Sequence, residues 1–279
     1  DPFRWFTDLS WRPGALFNTG AEFEQNDIHF AFGDVQTRIA RLRVEFNFGQ
    51  TFVERVFYER DEFGVYYAGG KQFRSQSLPS VSLVGDNALF SYYGPVNGGR
   101  YNITYAPSFA WFQNGVAYQT FTFDMRPYTD LTRGYTFASR IMTGVSGGSS
   151  PQVFRVGGFS TLRGYQDFTL EGSRVVIVNN EFRFPFIHQL GLVGPVPVGN
   201  FNLRGAAFVD AGLVWNEKDP IRFTRVVNGS PRLESPKLGF GAGIRSLVFF
   251  MILKLDVAWA SDLVNTSAPR WYFSIGPEF

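Results

Sequence analysis

The sequence predicts an all-β fold, namely a closed antiparallel transmembrane β-barrel of about twelve strands, with fourteen as the alternative number. The end of the chain gives the strongest indication, because Trp271, Phe273, Ile275 and Phe279 alternate with polar or small residues. Such a strand separates an apolar face from a polar face with a period of two. That separation suits a position between lipid and a wet lumen. The terminal aromatic residue is typical of the closing strand of such a barrel.

Composition is the second observation. Aromatic residues make up 18% of the chain, with 32 Phe, 12 Tyr and 6 Trp, which suits the aromatic girdles at the two interfaces of a membrane barrel. Mean hydropathy is -0.08, and no apolar run reaches the roughly 18 residues of a transmembrane helix. These values disfavour a helical inner-membrane protein and fit a barrel of alternating strands.

The third observation is that charged and apolar residues separate onto opposite faces in several segments. In 202–213, for example, Arg204 and Asp210 share one face and Val209 lies on the other. The same separation recurs in 36–48, 116–127 and 248–260. A soluble sandwich would show the same alternation with its apolar face inward, but the aromatic tail favours the membrane barrel.

Thirteen segments are predicted as strands, separated by turns rich in Gly, Asn, Asp and Ser. They are 15–25, 36–48, 51–60, 63–72, 84–94, 100–110, 116–127, 132–145, 172–184, 202–213, 236–246, 248–260 and 270–279. Bacterial single-chain barrels have even strand numbers, so the weakest segment, 15–25, is interpreted as a lead-in and twelve strands remain.

Domain organisation is predicted to be simple. No linker, charge block or low-complexity tract divides the chain, so residues 1–279 are predicted to form one outer-membrane β-barrel domain. The sequence starts at Asp1 without a signal peptide, which an outer-membrane protein requires. We therefore expect the domain to be the C-terminal part of a longer protein.

Several function classes receive no support. The net charge of +2 is too small to indicate nucleic-acid binding, and the absence of Cys excludes thiolate metal sites and Cys nucleophiles. The two histidines, His29 and His188, are too few and too far apart for a metal site. Ser146 lies in a Gly-x-Ser-x-Gly pattern, but no helix is predicted after it, as a nucleophile elbow requires. The sequence thus predicts no enzyme, no catalytic residue, no metal and no cofactor.

A set of motifs in a fixed order resembles the outer-membrane assembly and secretion barrel superfamily, the bacterial surface-antigen domain of BamA and FhaC. The motifs are Val156–Tyr165 in the long connection before 172–184, then Glu171-Gly172, Asn180–Pro185, Phe208–Gly212 and Gly239–Arg245. The resemblance covers roughly 84–279. It includes Gly85-Asp86-Asn87 and Tyr93-Gly94-Pro95, which are similar to barrels fused to periplasmic β-propellers.

The resemblance implies a long loop folded into the lumen with a Gly-Gly…Arg-Gly-aromatic tip. In this sequence the tip carries Gly157, Gly158, Arg163, Gly164 and Tyr165. In the family the loop Arg pairs with an acid on a later strand, which implies a clamp between Arg163 and Asp210. Glu181 is a second acceptor. An unpaired buried guanidinium would cost several kcal/mol, so such an Arg needs a carboxylate partner.

The resemblance implies a role in outer-membrane protein assembly or transport, with client polypeptides as partners and the lipid bilayer with lipopolysaccharide as the environment. BamA and FhaC place polypeptide-binding domains before a sixteen-stranded barrel, and this sequence shows neither. A plugged barrel that anchors a missing N-terminal periplasmic domain is therefore the alternative, and a diffusion pore is less favoured. All three functions predict localisation in the bacterial outer membrane.

Overall fold

The structure is a computed structural model. It describes the chain except residues 1–3, 19–20, 38–41, 61–65, 78, 92, 112–114, 133, 191–200, 228, 249–250 and 277–279. Side chains are described for 77, 79–91, 93–111, 115–132, 134–187, 203–227, 229–247 and 251–276. No helix in this described part is long and apolar enough to cross a membrane.

All regular elements of the described chain are β-strands. They are β1 Arg4–Asn18, β2 Ala21–Thr37, β3 Leu42–Arg60, β4 Tyr66–Ser77, β5 Ser80–Asp86, β6 Leu89–Ser91, β7 Gly94–Ser108, β8 Tyr118–Thr132, β9 Tyr135–Gly148, β10 Phe154–Val156, β11 Leu170–Gly172, β12 Arg174–Leu190, β13 Phe201–Trp215, β14 Thr224–Val227, β15 Ser230–Leu233, β16 Lys237–Val248, β17 Met251–Ser261 and β18 Arg270–Ile275. The prediction of an antiparallel all-β protein is therefore confirmed.

Within the described residues, twelve strands follow one another in the main sheet, in the order β1-β2-β3-β5-β7-β8-β9-β12-β13-β16-β17-β18. Strand β4 pairs with β3, and β6 pairs with β7, beside this path. Two short hairpins, β10-β11 and β14-β15, lie outside the main sheet. A pairing of β1 with β18 is not among those that the described residues form. Closure, and the strand number of a closed barrel, thus stay predictions.

The chain divides into two compact units. The first contains residues 1–85, 102–122 and 146–152, and the second contains 86–101, 123–145 and 153–279. The first unit includes the antiparallel pairings of β1 with β2, of β2 with β3, and of β3 with both β4 and β5. The second unit contains the run β12-β13-β16-β17-β18 and all the candidate site residues that are described below.

The strands of the second unit have one polar and one apolar face, as the alternation predicts. On β13, Arg204 and Asp210 are buried, whereas Val209 is 48% exposed. On β18, Trp271 and Phe273 are 67% and 65% exposed, and Tyr272 between them is half-buried. We call the two sides of this sheet the polar face and the apolar face.

Four predicted strands differ from the structure. The segment 15–25 is divided between the end of β1 and the start of β2, which pair as neighbours from Asn18 and Ala21 onwards. Most of 36–48 and all of 51–60 belong to one long strand, β3, because Gly49 and Gln50 pair within the ladders instead of turning the chain. The segment 84–94 is interrupted, so that it contains parts of β5 and β7 with β6 between them.

The long connection between β9 and β12 packs on the polar face of the second unit. Val156 and Leu162 from the connection form an apolar cluster with Val175 and Ile177 of β12, and all four are at most 1% exposed. The stem of the connection is the hairpin of β10 and β11. A small apolar core thus seats the tip of the connection on the sheet.

Candidate functional site

The tip of the β9–β12 connection, residues 157–165, is a compact turn closed by its own hydrogen bonds. The Gly158 amide donates to the Tyr165 carbonyl at 3.2 Å. The Thr161 hydroxyl donates to the Gly157 carbonyl and accepts from the Gly157 amide, both at 2.9 Å. Gly157 and Gly158 both have positive φ angles, of 127° and 85°. The tip therefore presents its side chains from a fixed backbone.

Close backbone contact explains two of the glycines at the site. Gly164 has a φ of 95°, and a Cβ there would lie 2.7 Å from the carbonyl group of Trp259 on β17. A Cβ on Gly239 of β16 would collide with the Arg163 carbonyl oxygen. The tip thus lies directly on the backbones of β16 and β17, at a distance that side chains would prevent.

Arg163 extends from this tip into the sheet and makes a two-pronged contact with Asp210 of β13. Its Nε donates to Asp210 Oδ2 at 2.7 Å, its Nη2 donates to Asp210 Oδ1 at 2.9 Å, and its backbone amide also donates to Oδ2, at 3.1 Å. Its Nη1 donates to Glu181 Oε2 at 2.7 Å. The guanidinium also lies over the ring of Phe208, 3.4 Å from the centroid.

Three more charged residues complete what we call the charge cluster. Its members share burial on the polar face and come from the loop tip and four strands: Arg163, Arg183, Arg245, Glu181, Asp210 and Asp256. Arg183 donates to Glu181 Oε1 at 2.9 Å, and Arg245 donates to both carboxylate oxygens of Asp256. With three guanidinium groups and three carboxylates, the cluster is formally neutral.

The charge cluster can be buried because its positive and negative charges balance. Arg163 is 3% exposed, and Asp210 is 0% exposed. Burial alone would lower the pKa of Arg163, but attraction to Asp210, Glu181 and Asp256 outweighs it, so the pKa lies above its ordinary value. Arg163 therefore stays protonated at every physiological pH. A buried ion pair is retained when its partners satisfy it fully, and it is costly when one partner is lost.

Further contacts from β9 and β12 hold the tip. Arg140 of β9 donates to the Ser160 carbonyl at 2.9 Å and is itself paired with Asp124 of β8 at 2.7 Å. Asn179 of β12 donates to the Thr161 carbonyl at 2.7 Å. The tip is thus also tied to β9 and β12, which are neighbours in the main sheet.

Strand β18, which the sequence predicts to be the closing strand, also contacts the tip, through Tyr272. The Tyr272 hydroxyl accepts from the Gly164 amide at 3.0 Å and donates to the Tyr165 carbonyl at 2.8 Å. The hydroxyl of Tyr165 in turn donates to the Leu238 carbonyl of β16 at 3.3 Å. Strand β18 therefore contacts the loop through a residue on its polar face.

The structure brings together the predicted loop residues, Asp210 and Glu181, all in the second unit. The apolar residues predicted for the closing strand, Trp271, Phe273 and Ile275, lie on the exposed face and do not take part in the cluster. Phe279 lies outside the described residues. Sequence reasoning missed Arg183, Arg245, Asp256 and Tyr272 as members of the site. The sequence contains a pattern that could have identified them, because the alternation of polar and apolar residues places each of them on the polar side of its strand.

Ser146 lies within strand β9 and not in a turn before a helix. It is 3% exposed, and its Oγ accepts from the Thr120 hydroxyl at 3.0 Å and from the Gln152 amide at 2.8 Å. Among the residues with described side chains, no group of three or more acidic or histidine residues is placed to hold a metal ion.

An antiparallel sheet with an exposed apolar face, and with a loop held by buried charges on its polar face, has the features of an outer-membrane β-barrel protein. The chain belongs to the Omp85 superfamily, because the Omp85 superfamily domain matches residues 17–279. It is accordingly an outer-membrane protein that lies in a lipid bilayer. A comparison with curated proteins gives no significant match.

Solved structures of two bacterial proteins share this fold. BamA from Haemophilus ducreyi lacking POTRA domains 1-3 matches with a TM-score of 0.61 and 13% identity, over 91% of this chain and 55% of that one. CdiB from Escherichia coli matches with a TM-score of 0.59 and 14% identity, over 94% of this chain and 48% of that one. The chain therefore spans about half the length of each.

Proposed function

We propose that this domain is the barrel of a non-catalytic machine that inserts proteins into the outer membrane or moves them across it. The observation that carries the proposal is the buried charge cluster that seats the loop tip, in a chain of the Omp85 superfamily. The similarity to BamA and CdiB supports the same class of function. The sheet closes, in this proposal, into a barrel of twelve strands, with fourteen as the alternative.

In this proposal, the closing strand is the element that binds the client polypeptide. Strand β18 has six residues and pairs with β17 between Leu253–Ala258 and Arg270–Ile275. Within the described chain, β17 is its one strand partner. An edge that is held so briefly can accept a strand of a client polypeptide by main-chain hydrogen bonding. The apolar face of β18 would then continue into the lipid-facing side of the new strand.

The loop has a supporting role in this mechanism. The charge cluster joins the tip to β12, β13, β16 and β17, which stiffens that part of the wall. With this wall fixed, movement is confined to the closing strand. No bond is made or broken in the client, so the function requires no nucleophile and no cofactor.

The proposal is tested by reconstituting the protein in liposomes and measuring how fast an unfolded outer-membrane client folds. Folding is followed by the heat-modifiable mobility of the client, with empty liposomes as the reference. We expect clear acceleration by the protein. No acceleration would contradict the insertion proposal and favour the alternative, a plugged barrel that anchors a periplasmic domain.

Cross-linking locates the edge that the client uses. The chain has no Cys, so single cysteines can be introduced without background. We expect Phe273→Cys on β18 to form a disulfide with a cysteine-labelled client during folding. Val209→Cys on β13 is the matched control, because it lies on the same apolar face, is 48% exposed and belongs to an internal strand. Equal cross-linking at both positions would exclude β18 as the specific edge.

A further inference from the structure

We infer that Tyr272 is a latch that couples the loop tip to the closing strand. It is a positioning residue through which the seating of the loop determines how firmly β18 is held. The inference deepens the proposed function and rests on it only for its last step, the effect on a client. The latch itself concerns contacts within the second unit.

The geometry of the Tyr272 hydroxyl makes it a two-way contact. The hydroxyl accepts from the Gly164 amide at 3.0 Å and donates to the Tyr165 carbonyl at 2.8 Å. Both partners are backbone groups at consecutive positions, directly after Arg163. The two hydrogen bonds of the hydroxyl therefore depend on the position of the loop backbone and involve no side chain of the loop.

The loop end of the latch is fixed by the strongest contacts of the site. Gly164 follows Arg163, whose guanidinium is bound by Asp210 and Glu181 at 2.7 Å each. Gly164 also lies against the backbone of Trp259 on β17, where a Cβ would not fit. A displacement of Arg163 from the charge cluster would therefore move the two groups that Tyr272 contacts.

Among the described residues, the strand end of the latch is held by the ladder with β17 and by one further backbone hydrogen bond. Tyr272 pairs with Asp256 across the β17–β18 ladder, at the middle of the six paired positions of β18. Beyond this ladder, the Gly276 amide donates to the Ile252 carbonyl at 2.9 Å. The two hydrogen bonds from Tyr272 to the loop thus add substantially to the contacts that hold this six-residue strand.

The test is amide hydrogen exchange of the peptide that contains β18, measured on the protein in lipid nanodiscs without any client. Tyr272→Phe removes the hydroxyl and keeps the ring. We expect exchange in β18 to accelerate about tenfold or more, because two partly buried hydrogen bonds are lost. Exchange in β12 and β13 should not change. Tyr135→Phe is the matched control, because it removes the same group on the exposed face of β9, where the ring stacks on Phe182.

A double-mutant cycle with Arg163→Lys tests whether the coupling passes through the loop. Lysine keeps the charge but cannot make the two-pronged contact with Asp210. We expect Arg163→Lys to accelerate exchange in β18, and Tyr272→Phe to add little in that background. Unchanged exchange in Tyr272→Phe, or fully additive effects in the cycle, would overturn the latch.

The client assay then separates the latch from the proposed function. If Tyr272→Phe accelerates exchange in β18 and changes the rate of client folding several-fold, both stand. If it accelerates exchange in β18 but leaves client folding unchanged, the latch stands and the use of the β18 edge by clients is wrong. If exchange in β18 does not respond, the latch is wrong whatever the client assay gives.

Discussion

At the scale of single residues, Arg163 is buried where an isolated cation would be unstable. Its guanidinium is enclosed by Asp210, Glu181 and Asp256 and by the ring of Phe208. The two-pronged geometry with Asp210 requires a planar fork, which lysine lacks. The identity of this residue is thus set by the shape of its partners as well as by their charge.

Replacing Arg163 is expected to destabilise the protein strongly. Arg163→Ala would leave Asp210 and Glu181 buried with less compensating charge, which typically costs about 3–5 kcal/mol. Arg155→Ala is the matched control in the same connection. Arg155 pairs with Glu171 at 3.0 Å but is 63% exposed, so its loss should cost under about 1 kcal/mol. The measurement is the urea midpoint of unfolding in detergent, and equal midpoints for the two variants would contradict the clamp.

A methyl group at Gly164 is expected to lift the loop tip from β17. The Cβ of Gly164→Ala would meet the backbone of Trp259 and Ala260 at 2.7–2.8 Å, at a φ of 95°. Gly134→Ala has a similar φ of 87° but meets nothing within 4 Å, so it isolates the backbone strain, which is about 1 kcal/mol. Limited proteolysis of the β9–β12 connection compares the two, and we expect faster cleavage only in Gly164→Ala.

The residues that sequence reasoning did not assign to the site show where it stops. Period two places Arg183, Arg245, Asp256 and Tyr272 on the polar side of their strands. It does not show which polar residues meet, because Arg163 and Asp256 are 93 positions apart along the chain. The resemblance implies the pairing of Arg163 with Asp210 or Glu181. The neutral cluster of six charges depends in addition on the register of the strands, which cannot be read from the sequence.

At the scale of elements, the strands are amphipathic in the sense that the alternation predicts. The apolar face of the second unit is exposed and rich in aromatic residues, as a lipid-facing surface requires. Phe184 of β12 covers Gly205 of β13 on this face, so closely that a Cβ on Gly205 would meet the ring. An aromatic ring over a glycine restores packing across a strand pair.

A charge on the apolar face is expected to hinder membrane insertion. Val209→Arg lies on β13 of this face and should cost about 2–4 kcal/mol if it is near the bilayer midplane. Val226→Arg is the control, because Val226 is 71% exposed on the hairpin strand β14, outside the main sheet. The folded fraction in lipid vesicles is the measurement. If both variants insert equally well, the apolar face is not the lipid-facing surface.

The division of β3 into two predicted strands has a physical cause. The sequence pattern assigns small and polar residues to turns, but a strand in a long ladder can contain them without interruption. Gly49 and Gln50 illustrate this within β3, where they pair with His29 and Ile28. The hairpin of β14 and β15 is absent from the predicted strands, and its Pro231 pairs with Val226 within the hairpin. Pattern locates strands better than it locates their ends.

At the scale of the whole molecule, membership of the Omp85 superfamily shows that the protein lies in the outer membrane and has an all-β fold. The loop that packs on the polar face is expected to block the passage of ions. We expect the protein to pass no steady current in a planar bilayer. Replacing 157–165 by a Gly/Ser segment of equal length should produce a current, because the tip and its Arg163 contacts are removed. The same replacement of 224–233 should not. Steady conductance of the unaltered protein would favour the diffusion pore.

The charge balance at the site has a consequence for the order of events in folding. Within the charge cluster, the strands contribute the two guanidinium groups of Arg183 and Arg245 and three carboxylates, so the strand side of the cluster has one negative charge in excess until Arg163 docks. A sheet that completed itself before the loop docked would enclose an uncompensated carboxylate. We therefore expect the loop to dock before the sheet is complete, so that the loop sets the order in which this part of the molecule folds.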